Sequence, residues 1–137
     1  MVDRELLQRR LERLEEYLVI LRRLAAYSYE EFIANPERYG SAERFLQLSI
    51  ELIDDMGNHV VADEELGAVA KTTDVPDRLA EHGLVDADLA SRWATMIGFR
   101  NILVHEYMEI DRRLVHEHLR ERLGDFDELR LAFVRLL

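Results

Sequence analysis

The N-terminal stretch of the chain carries an apolar repeat that only an α-helix can place on one face. Apolar residues recur there at alternating spacings of four and three, and the series is Leu7, Leu11, Leu14, Leu18, Leu21 and Ala25. Because an α-helix turns by about 100° per residue, this spacing forms a narrow apolar seam. Charged residues occupy the other positions, as on a solvated face. The pattern predicts a first helix over roughly residues 3 to 26.

Further helical segments follow this first one. The predicted elements are a short helical turn over residues 29–34, a long helix over about 41–62, a polar loop over 63–75, a short helix over 76–82, a helix that begins at Asp86 and carries residues 98–107, a helix from Asp111 to about Leu123, and a last segment opened by a capping box at 125–128. Asn35-Pro36 is a further helix start, and Gly124 is the expected end of the helix before it. No period-two alternation is long enough for a strand. The chain is therefore predicted to be all-α.

Two of these helices have a predicted buried face. On the second long helix it consists of Phe45, Ser49, Leu52, Met56 and Val60. On the helix that begins at Asp86 it consists of Leu89, Trp93, Met96, Ile97, Val104 and Tyr107. The polar loop over 63–75 is interpreted either as a plain connection or as the mobile lip of a cleft.

Composition excludes several classes of protein. The chain of 137 residues is 48% hydrophobic and 34% charged, which excludes an extended disordered chain. It has no cysteine, so it has no disulfide, thiolate ligand or cysteine nucleophile. No apolar run approaches the roughly 18 residues of a membrane span, and the charged N-terminus lacks the apolar region of a signal peptide. A cytoplasmic location is the expectation that follows.

The charge balance limits the kind of nucleic-acid binding that can be expected. A net charge of −10 argues against a non-specific nucleic-acid coat, which is usually basic. The basic residues are 17 arginines and one lysine, Lys71. Arginine favours bidentate contacts to phosphate or carboxylate. A local arginine patch on an acidic protein therefore remains open.

Residues 98–107 place four polar side chains in an otherwise apolar, helix-compatible run. These are Arg100, Asn101, His105 and Tyr107. On a helix they span an arc of roughly 160°, which suits the wall of a cleft. The alternative is that the histidine is a satisfied core residue and the arginine extends along the surface to solvent.

A second polar set lies on the long helix over 41–62. Its members are Glu51, Asp55, Asn58 and His59, which recur at i, i+4, i+7 and i+8 and so share one side. One interpretation is a hydrated helix face. The other is a polar wall opposite Arg100 and His105, in which Asp55 or Glu51 orients the imidazole or receives the arginine.

Two motifs in these segments resemble a known family. Arg100-Asn101-x-x-x-His105-x-Tyr107 resembles the Arg-x-x-x-x-His-x-Tyr signature of HEPN-domain ribonucleases, in particular the HepT toxin group. Glu51-x-x-x-Asp55-x-x-Asn58-His59 also resembles the group. The resemblance spans most of the chain as an order of helices. It implies an antiparallel helical bundle of HEPN type with about four to six helices, forming a single domain over residues 1–137.

The resemblance also implies a function. It is that of a metal-independent endoribonuclease toxin, in which Arg100 and His105 form a composite site at the cleft of a homodimer. The substrate is RNA, either tRNA or mRNA, and no cofactor or metal is expected. The implied partner is a minimal nucleotidyltransferase antitoxin that adenylylates the motif tyrosine, Tyr107, with Asn101 in a supporting role. Glu51, Asp55, Asn58 and His59 are the expected cleft wall.

Other functions remain as alternatives. The chain could be a non-catalytic HEPN module that binds nucleotides or a nucleotidyltransferase partner, with Arg100 holding a phosphate and His105 structural. It could also be a dimerising scaffold without chemistry. Di-iron chemistry is disfavoured because no histidine has an acid three residues before it. No Walker motif, dinucleotide loop or nucleophile elbow is present, and His116 and His118 are expected on the surface.

Overall fold

The computed structural model describes all 137 residues and contains helices without strands. Seven α-helices follow one another as α1 (Arg4–Ala25), α2 (Tyr29–Ile33), α3 (Pro36–Asp63), α4 (Asp74–Glu81), α5 (Ala87–His105), α6 (Arg112–Glu121) and α7 (Leu123–Val134), with a 3₁₀ turn over Tyr107–Glu109. The all-α prediction is confirmed. The seven helices exceed the four to six that the family resemblance implied, and they match in number the helical segments that the residue pattern predicted.

The long helices run antiparallel to one another. Arg10 of α1 contacts Asp55 of α3, and Tyr17 of α1 contacts Phe45 of α3. Residue numbers in contact therefore rise along α1 while they fall along α3. The same reversal holds between α3 and α5 and between α1 and α7. The predicted antiparallel bundle is therefore confirmed.

The predicted seam of α1 forms one side of the core. All five of its leucines, Leu7 to Leu21, are buried, and they pack towards α3, α6 and α7. Asp3 caps the helix, since its side chain accepts from the backbone N–H of Leu6 at 3.0 Å. The apolar repeat thus determines both the length of α1 and the face that it buries.

The α3 helix begins earlier than its apolar pattern indicated. Asn35 accepts from the N–H of Glu37, and Pro36 occupies the first turn, so the helix starts at Pro36 and not near residue 41. Ser49, Met56 and Val60 are buried as predicted, whereas Phe45 and Leu52 are half-buried at the edge of the core.

Three helices meet at one close crossing. A Cβ built on Gly57 of α3 would lie 2.6 Å from Val75 Cγ1 and 2.7 Å from the Trp93 ring. Val75 belongs to α4, which begins at Asp74 inside the predicted loop over 63–75. Glycine at position 57 therefore lets α4 and α5 approach α3 closely.

The C-terminal segments differ from expectation in two ways. Gly124 lies inside α7 and does not end α6, which stops at Glu121. The predicted capping box at 125–128 is also wrong. Asp125 is buried and accepts from Arg92 Nη1 at 2.7 Å, while Glu128 binds the same guanidinium. Arg92 draws these acids towards α5 and away from a local cap.

Neither His116 nor His118 is a surface residue, contrary to expectation. His116 is half-buried, and its Nε2–H donates to the carbonyl oxygen of Tyr27 at 2.9 Å. The His118 ring stacks on Phe99 with centroids 3.7 Å apart and planes 4° apart. Burial, together with the nearby Arg122 charge, lowers the pKa of His118 to about 4.

None of the seven helices is both long enough and apolar enough to cross a lipid bilayer.

Candidate functional site

The α5 helix presents Arg100 to the middle of α3. Arg100 Nη2 donates to Glu51 Oε1 at 2.6 Å, and Arg100 Nε donates to the same oxygen at 3.0 Å. Arg100 Nη1 makes a longer contact to Asn101 Oδ1 at 3.3 Å. The sequence left either Glu51 or Asp55 as the acid that pairs with Arg100, and in the structure this acid is Glu51. The Nη1 side of the guanidinium keeps donors that can bind a phosphate.

Hydrogen bonding determines the ionisation of Glu51. Partial burial by itself would raise its pKa, but the hydrogen bonds from Arg100 and from Gln47 Nε2 outweigh that effect and lower the pKa. Glu51 is therefore ionised at neutral pH and holds the arginine as a charged pair.

A polar cleft of about 280 Å³ opens beside this ion pair. Its lining consists of Glu51, Asp54, Asp55, Asn58, Thr72, Ile97, Arg100 and Asn101. The structure thus brings Arg100 and Asn101 together with three members of the predicted cleft wall. Thr72 comes from the segment between α3 and α4, so this segment does contribute to the rim of the cleft.

Asp55 turns to a different partner from the one expected. Its Oδ2 accepts from Arg10 Nε of α1 at 2.6 Å, and its Oδ1 lies 3.7 Å from His59 Nε2. Asp55 therefore does not orient the His105 imidazole within one chain. Asp55 and Glu51 also line a second groove, of about 500 Å³, between α1 and α3, where Arg9 and Arg13 line the opposite wall.

The second half of the motif lies outside the cleft. His105 is the last residue of α5, and both His105 and Tyr107 are exposed. The prediction that Tyr107 lies near the buried face of a continuing helix is wrong, because its side chain is 70% exposed. Asp111 caps α6 through the N–H groups of Arg113 and Leu114, so residues 106–110, with Tyr107 among them, connect two separate helices.

Within one chain Arg100 and His105 point in different directions. Five residues of helix separate them, which corresponds to about 7.5 Å of rise and about 140° of rotation. The cleft therefore holds the arginine of the motif, whereas the imidazole faces solvent beyond its rim. A ligand held by both side chains would need a second contributing surface.

Asp54 is a site residue that sequence reasoning missed. It is only 9% exposed and lines the same cleft as Arg100. Its Oδ1 accepts from Trp93 Nε1 at 2.8 Å. Burial raises the pKa of Asp54 to about 6, although the Trp93 hydrogen bond and the Arg100 charge oppose this rise. The only sequence signal was its position, three residues after Glu51 on the same helix.

No group of three or more His, Asp or Glu side chains has an arrangement that could hold a metal ion.

The sequence matches a described protein family over most of its length. Residues 7–132 match the family model "Ribonuclease HepT-like". The chain is 31% identical over 83 residues to "mRNA nuclease HepT" of Shewanella oneidensis, an alignment that covers 61% of this chain and 62% of that protein. It is 27% identical over 110 residues to "tRNA nuclease HepT" of Aphanizomenon flos-aquae, covering 80% of this chain and 75% of that protein. The first alignment spans less than two thirds of its relative.

A solved structure shows the same fold. It is the tri-AMPylated HEPN toxin of Shewanella oneidensis in complex with an MNT antitoxin, with a TM-score of 0.88 and 22% sequence identity. The superposition covers 98% of this chain and 99% of that chain. Seven helices in the HEPN arrangement, the Arg-x-x-x-x-His-x-Tyr motif and the match over residues 7–132 agree. The chain belongs to the ribonuclease HepT-like family.

Proposed function

We propose that this protein is a metal-independent endoribonuclease and the toxin of a toxin–antitoxin pair. The observation that carries the proposal is the complete Arg100–His105–Tyr107 motif, with Arg100 held at the edge of a polar cleft by Glu51. The two nuclease relatives support an RNA substrate. We further propose that residues 1–137 act as a single HEPN-like domain.

The chemistry uses the nucleophile that RNA already contains. The 2′-hydroxyl oxygen attacks the adjacent phosphorus, the bond from phosphorus to the 5′-oxygen of the next nucleotide breaks, and a 2′,3′-cyclic phosphate remains. One group must accept the 2′-hydroxyl proton and one must protonate the leaving oxygen. His105 is suited to either role because an imidazole can both accept and donate a proton. Arg100 stabilises the charge that develops on the phosphoryl oxygens.

A composite site explains how one histidine per motif suffices. Arg100 and His105 diverge by about 140° on α5, and the exposed imidazole lies beyond the rim of the cleft. A two-fold dimer would bring a second His105 to each Arg100 cleft, and closed two-fold dimers are the commonest oligomers. Light scattering should give about twice the chain mass of 16.1 kDa. A monomer at micromolar concentration would remove the composite site.

The proposed partner is a minimal nucleotidyltransferase antitoxin that adenylylates Tyr107. The support is the exposure of this side chain, 70% of which is open to an approaching enzyme, together with the AMPylated state of the solved relative in its complex with an MNT antitoxin. An attached AMP would add negative charge and bulk two residues from His105. Asn101, which contacts Arg100, would support the arginine in the free toxin.

The test is cleavage by the purified protein in the presence of EDTA. Separate reactions with tRNA and with mRNA should identify the substrate class, and the product should carry a 2′,3′-cyclic phosphate. Arg100→Ala and His105→Ala should each reduce the rate by about 10² to 10⁴. His82→Ala is the matched control, since His82 is exposed at the end of α4.

The outcomes separate the proposal from its alternatives. Activity that is lost in EDTA and restored by a divalent ion would move the chemistry to the carboxylates Glu51 and Asp55. RNA binding without cleavage would instead favour the non-catalytic binding module. Equal activity in wild type and His105→Ala would exclude the imidazole from the reaction.

A further inference from the structure

Three arginines stack on three tyrosines at the end of the bundle where α1 stops. The guanidinium carbon lies 4.1 Å from the ring centroid for Arg38 on Tyr27, 4.0 Å for Arg112 on Tyr39, and 4.0 Å for Arg113 on Tyr29. The rings are half-buried, whereas Arg112 and Arg113 are exposed. Each guanidinium thus covers a ring with one face; Arg112 and Arg113 leave the other face to solvent, whereas Arg38 is half-buried.

The three stacks form one continuous surface, which we call the Arg–Tyr patch. Arg38 and Tyr39 are neighbours at the start of α3, which joins the first two stacks. His116 joins the third, since it donates to the Tyr27 carbonyl and its ring lies edge-on to Tyr29 with centroids 5.7 Å apart. The patch therefore spans the α1–α2 connection, the start of α3 and the start of α6.

These arginines also differ in charge balance from most others in the chain. Eight of the 17 arginines form ion pairs with Asp or Glu. None of the three in the Arg–Tyr patch does so. Arg38 donates to the backbone carbonyl of Glu31, at 2.6 Å, and the acids whose charges reach the patch are Glu31 for Arg38 and Glu43 for Arg112. On a chain of net charge −10, the patch retains positive charge.

The Arg–Tyr patch lies nearer the start of α3 than the proposed cleavage site. Because α3 and α5 are antiparallel, α5 runs from the level of Glu51, which holds Arg100, towards the start of α3, where Tyr39 lies. Twelve residues of helix separate Glu51 from Tyr39, which corresponds to about 18 Å of rise along α3 and about 120° of rotation around it. His105 ends α5 within this interval. A single-stranded RNA of several nucleotides could therefore contact the cleft and the patch together.

We propose that the Arg–Tyr patch is an RNA subsite, in which the guanidinium planes of Arg38, Arg112 and Arg113 stack against bases of the single-stranded segment adjoining the nucleotide cleaved at Arg100 and His105. This assignment rests on the proposed ribonuclease function. Arginine planes stack on bases and their N–H groups bind phosphates, so one side chain can hold both. The tyrosine rings underneath hold the guanidinium planes parallel to the surface and so pre-organise them for stacking.

The test measures RNA binding without cleavage. In the His105→Ala background, fluorescence anisotropy would compare a single-stranded 12-nucleotide RNA with a trinucleotide too short to reach the patch. Arg112→Ala/Arg113→Ala should weaken binding of the long RNA by about tenfold or more, because losing one stacked base costs a factor of roughly 5 to 150. Binding of the trinucleotide should stay unchanged.

Two further variants identify the cause of any loss. Arg4→Ala/Arg135→Ala removes the same charge from exposed residues at the other end of the bundle, and it should bind the long RNA like the parent. Arg112→Lys/Arg113→Lys keeps the charge but lacks the planar group, so it should still bind several-fold more weakly than the parent. Thermal melting by circular dichroism confirms that each variant is folded.

Different outcomes would refute the RNA subsite and the proposed ribonuclease function separately. If Arg112→Ala/Arg113→Ala binds the long RNA as tightly as Arg4→Ala/Arg135→Ala, the subsite is refuted. Full binding by Arg112→Lys/Arg113→Lys would also refute it, because charge alone would then explain the binding. Loss of antitoxin binding with unchanged RNA binding would assign the patch to the protein partner and overturn the proposal. Absence of RNA cleavage by wild type, with the Arg112/Arg113 effect intact, would instead refute the ribonuclease function alone.

Discussion

Arg100 places two of its nitrogens on a single oxygen of Glu51, at 3.0 Å from Nε and 2.6 Å from Nη2. This contact joins α5 to the middle of α3. It fixes the plane of the guanidinium and leaves the Nη1 side available to a phosphate. We therefore expect Glu51 to be a positioning residue, which would act on RNA only through Arg100.

Removing Glu51 should therefore impair cleavage without removing the reacting groups. Glu51→Ala should reduce kcat by about tenfold or more, because small misplacements of a group that contacts the transition state are costly. Glu51→Gln should fall between wild type and Ala, since it retains an acceptor but not the charge. Single-turnover RNA cleavage measures the effect. Glu12→Ala, at an exposed acid of α1, is the control. A rise in activity would show that Glu51 restrains Arg100.

Tyr107 should be a regulatory target and not a packing residue. Tyr107→Phe keeps the ring, which is exposed and contributes no core contact. The variant should remain toxic but become insensitive to the antitoxin. Intact-mass analysis after co-expression should show one or more AMP additions on wild type and none on Tyr107→Phe. Tyr17→Phe, which alters a half-buried ring packed on Phe45, should still be modified. If Tyr107→Phe is still modified and neutralised, inhibition uses another residue or occlusion.

The ionised carboxylate of Asp54 should lower the free energy of unfolding of the protein at neutral pH. Its pKa is raised to about 6 from 3.8, so between these values the folded state binds more protons than the unfolded state. Stability then falls as pH rises through this window and stays lower above it. Asp54→Asn keeps an acceptor for Trp93 without the charge. Its stability gain over wild type should grow from pH 4 to 6 and reach up to about 3 kcal/mol. Urea unfolding at each pH measures it, and a pH-independent difference would contradict the assignment.

His118 should change the pH dependence of stability in the opposite direction to Asp54, over nearly the same pH range. Its pKa is lowered to about 4 from 6.5, so the unfolded state takes up the proton first as pH falls. Wild type should therefore lose stability between pH 6.5 and 4, by up to about 3 kcal/mol. His118→Gln cannot titrate, so its stability relative to wild type should rise as pH falls through this window. Because the effects of Asp54 and His118 oppose each other, each single variant should show a steeper pH dependence than wild type.

The two glycines inside α3 should respond oppositely to the same substitution. A Cβ at Gly57 would meet Val75 and Trp93 at under 3 Å, whereas a Cβ at Gly40 would meet nothing within 4 Å. Gly57→Ala should destabilise by about 1 to 3 kcal/mol through overpacking. Gly40→Ala should stabilise by about 0.5 to 1 kcal/mol through helix propensity. Chemical denaturation compares them, and a stable Gly57→Ala would mean that α4 can move away from α3.

Local signals in the sequence determined the helical class and most helix starts. The leucine repeat from Leu7 to Leu21 requires a helix with one buried face, whatever it packs against. Asn35, Asp86 and Asp111 cap helices through bonds to backbone N–H groups two or three residues later, so their effect needs no distant partner. The spacing of the Arg100, His105 and Tyr107 motif is equally local, and it indicates the family without reference to any tertiary contact.

Only the tertiary structure decided which polar groups meet. Glu51, Asp54 and Asp55 are within four residues on one helix, yet they bind Arg100 of α5, Trp93 of α5 and Arg10 of α1 respectively. Periodicity places Glu51 and Asp55 on one polar side, but it does not say which neighbouring helix approaches each acid. The partners are 45, 39 and 49 residues away in sequence for Asp55, Asp54 and Glu51. Helix packing alone selects them.

The same reason explains the errors near the C-terminus and at Tyr107. Asp125 has the local pattern of a cap, but Arg92 of α5 offers it a charged partner in a buried position. Tyr107 fits the apolar face of a longer α5, but α6 must begin at its own cap and pack back on the core, so the chain turns after His105. A sequence specifies what each helix can bury. The packed bundle decides where a helix must stop and which charges it neutralises, because both depend on chain segments that are distant in sequence.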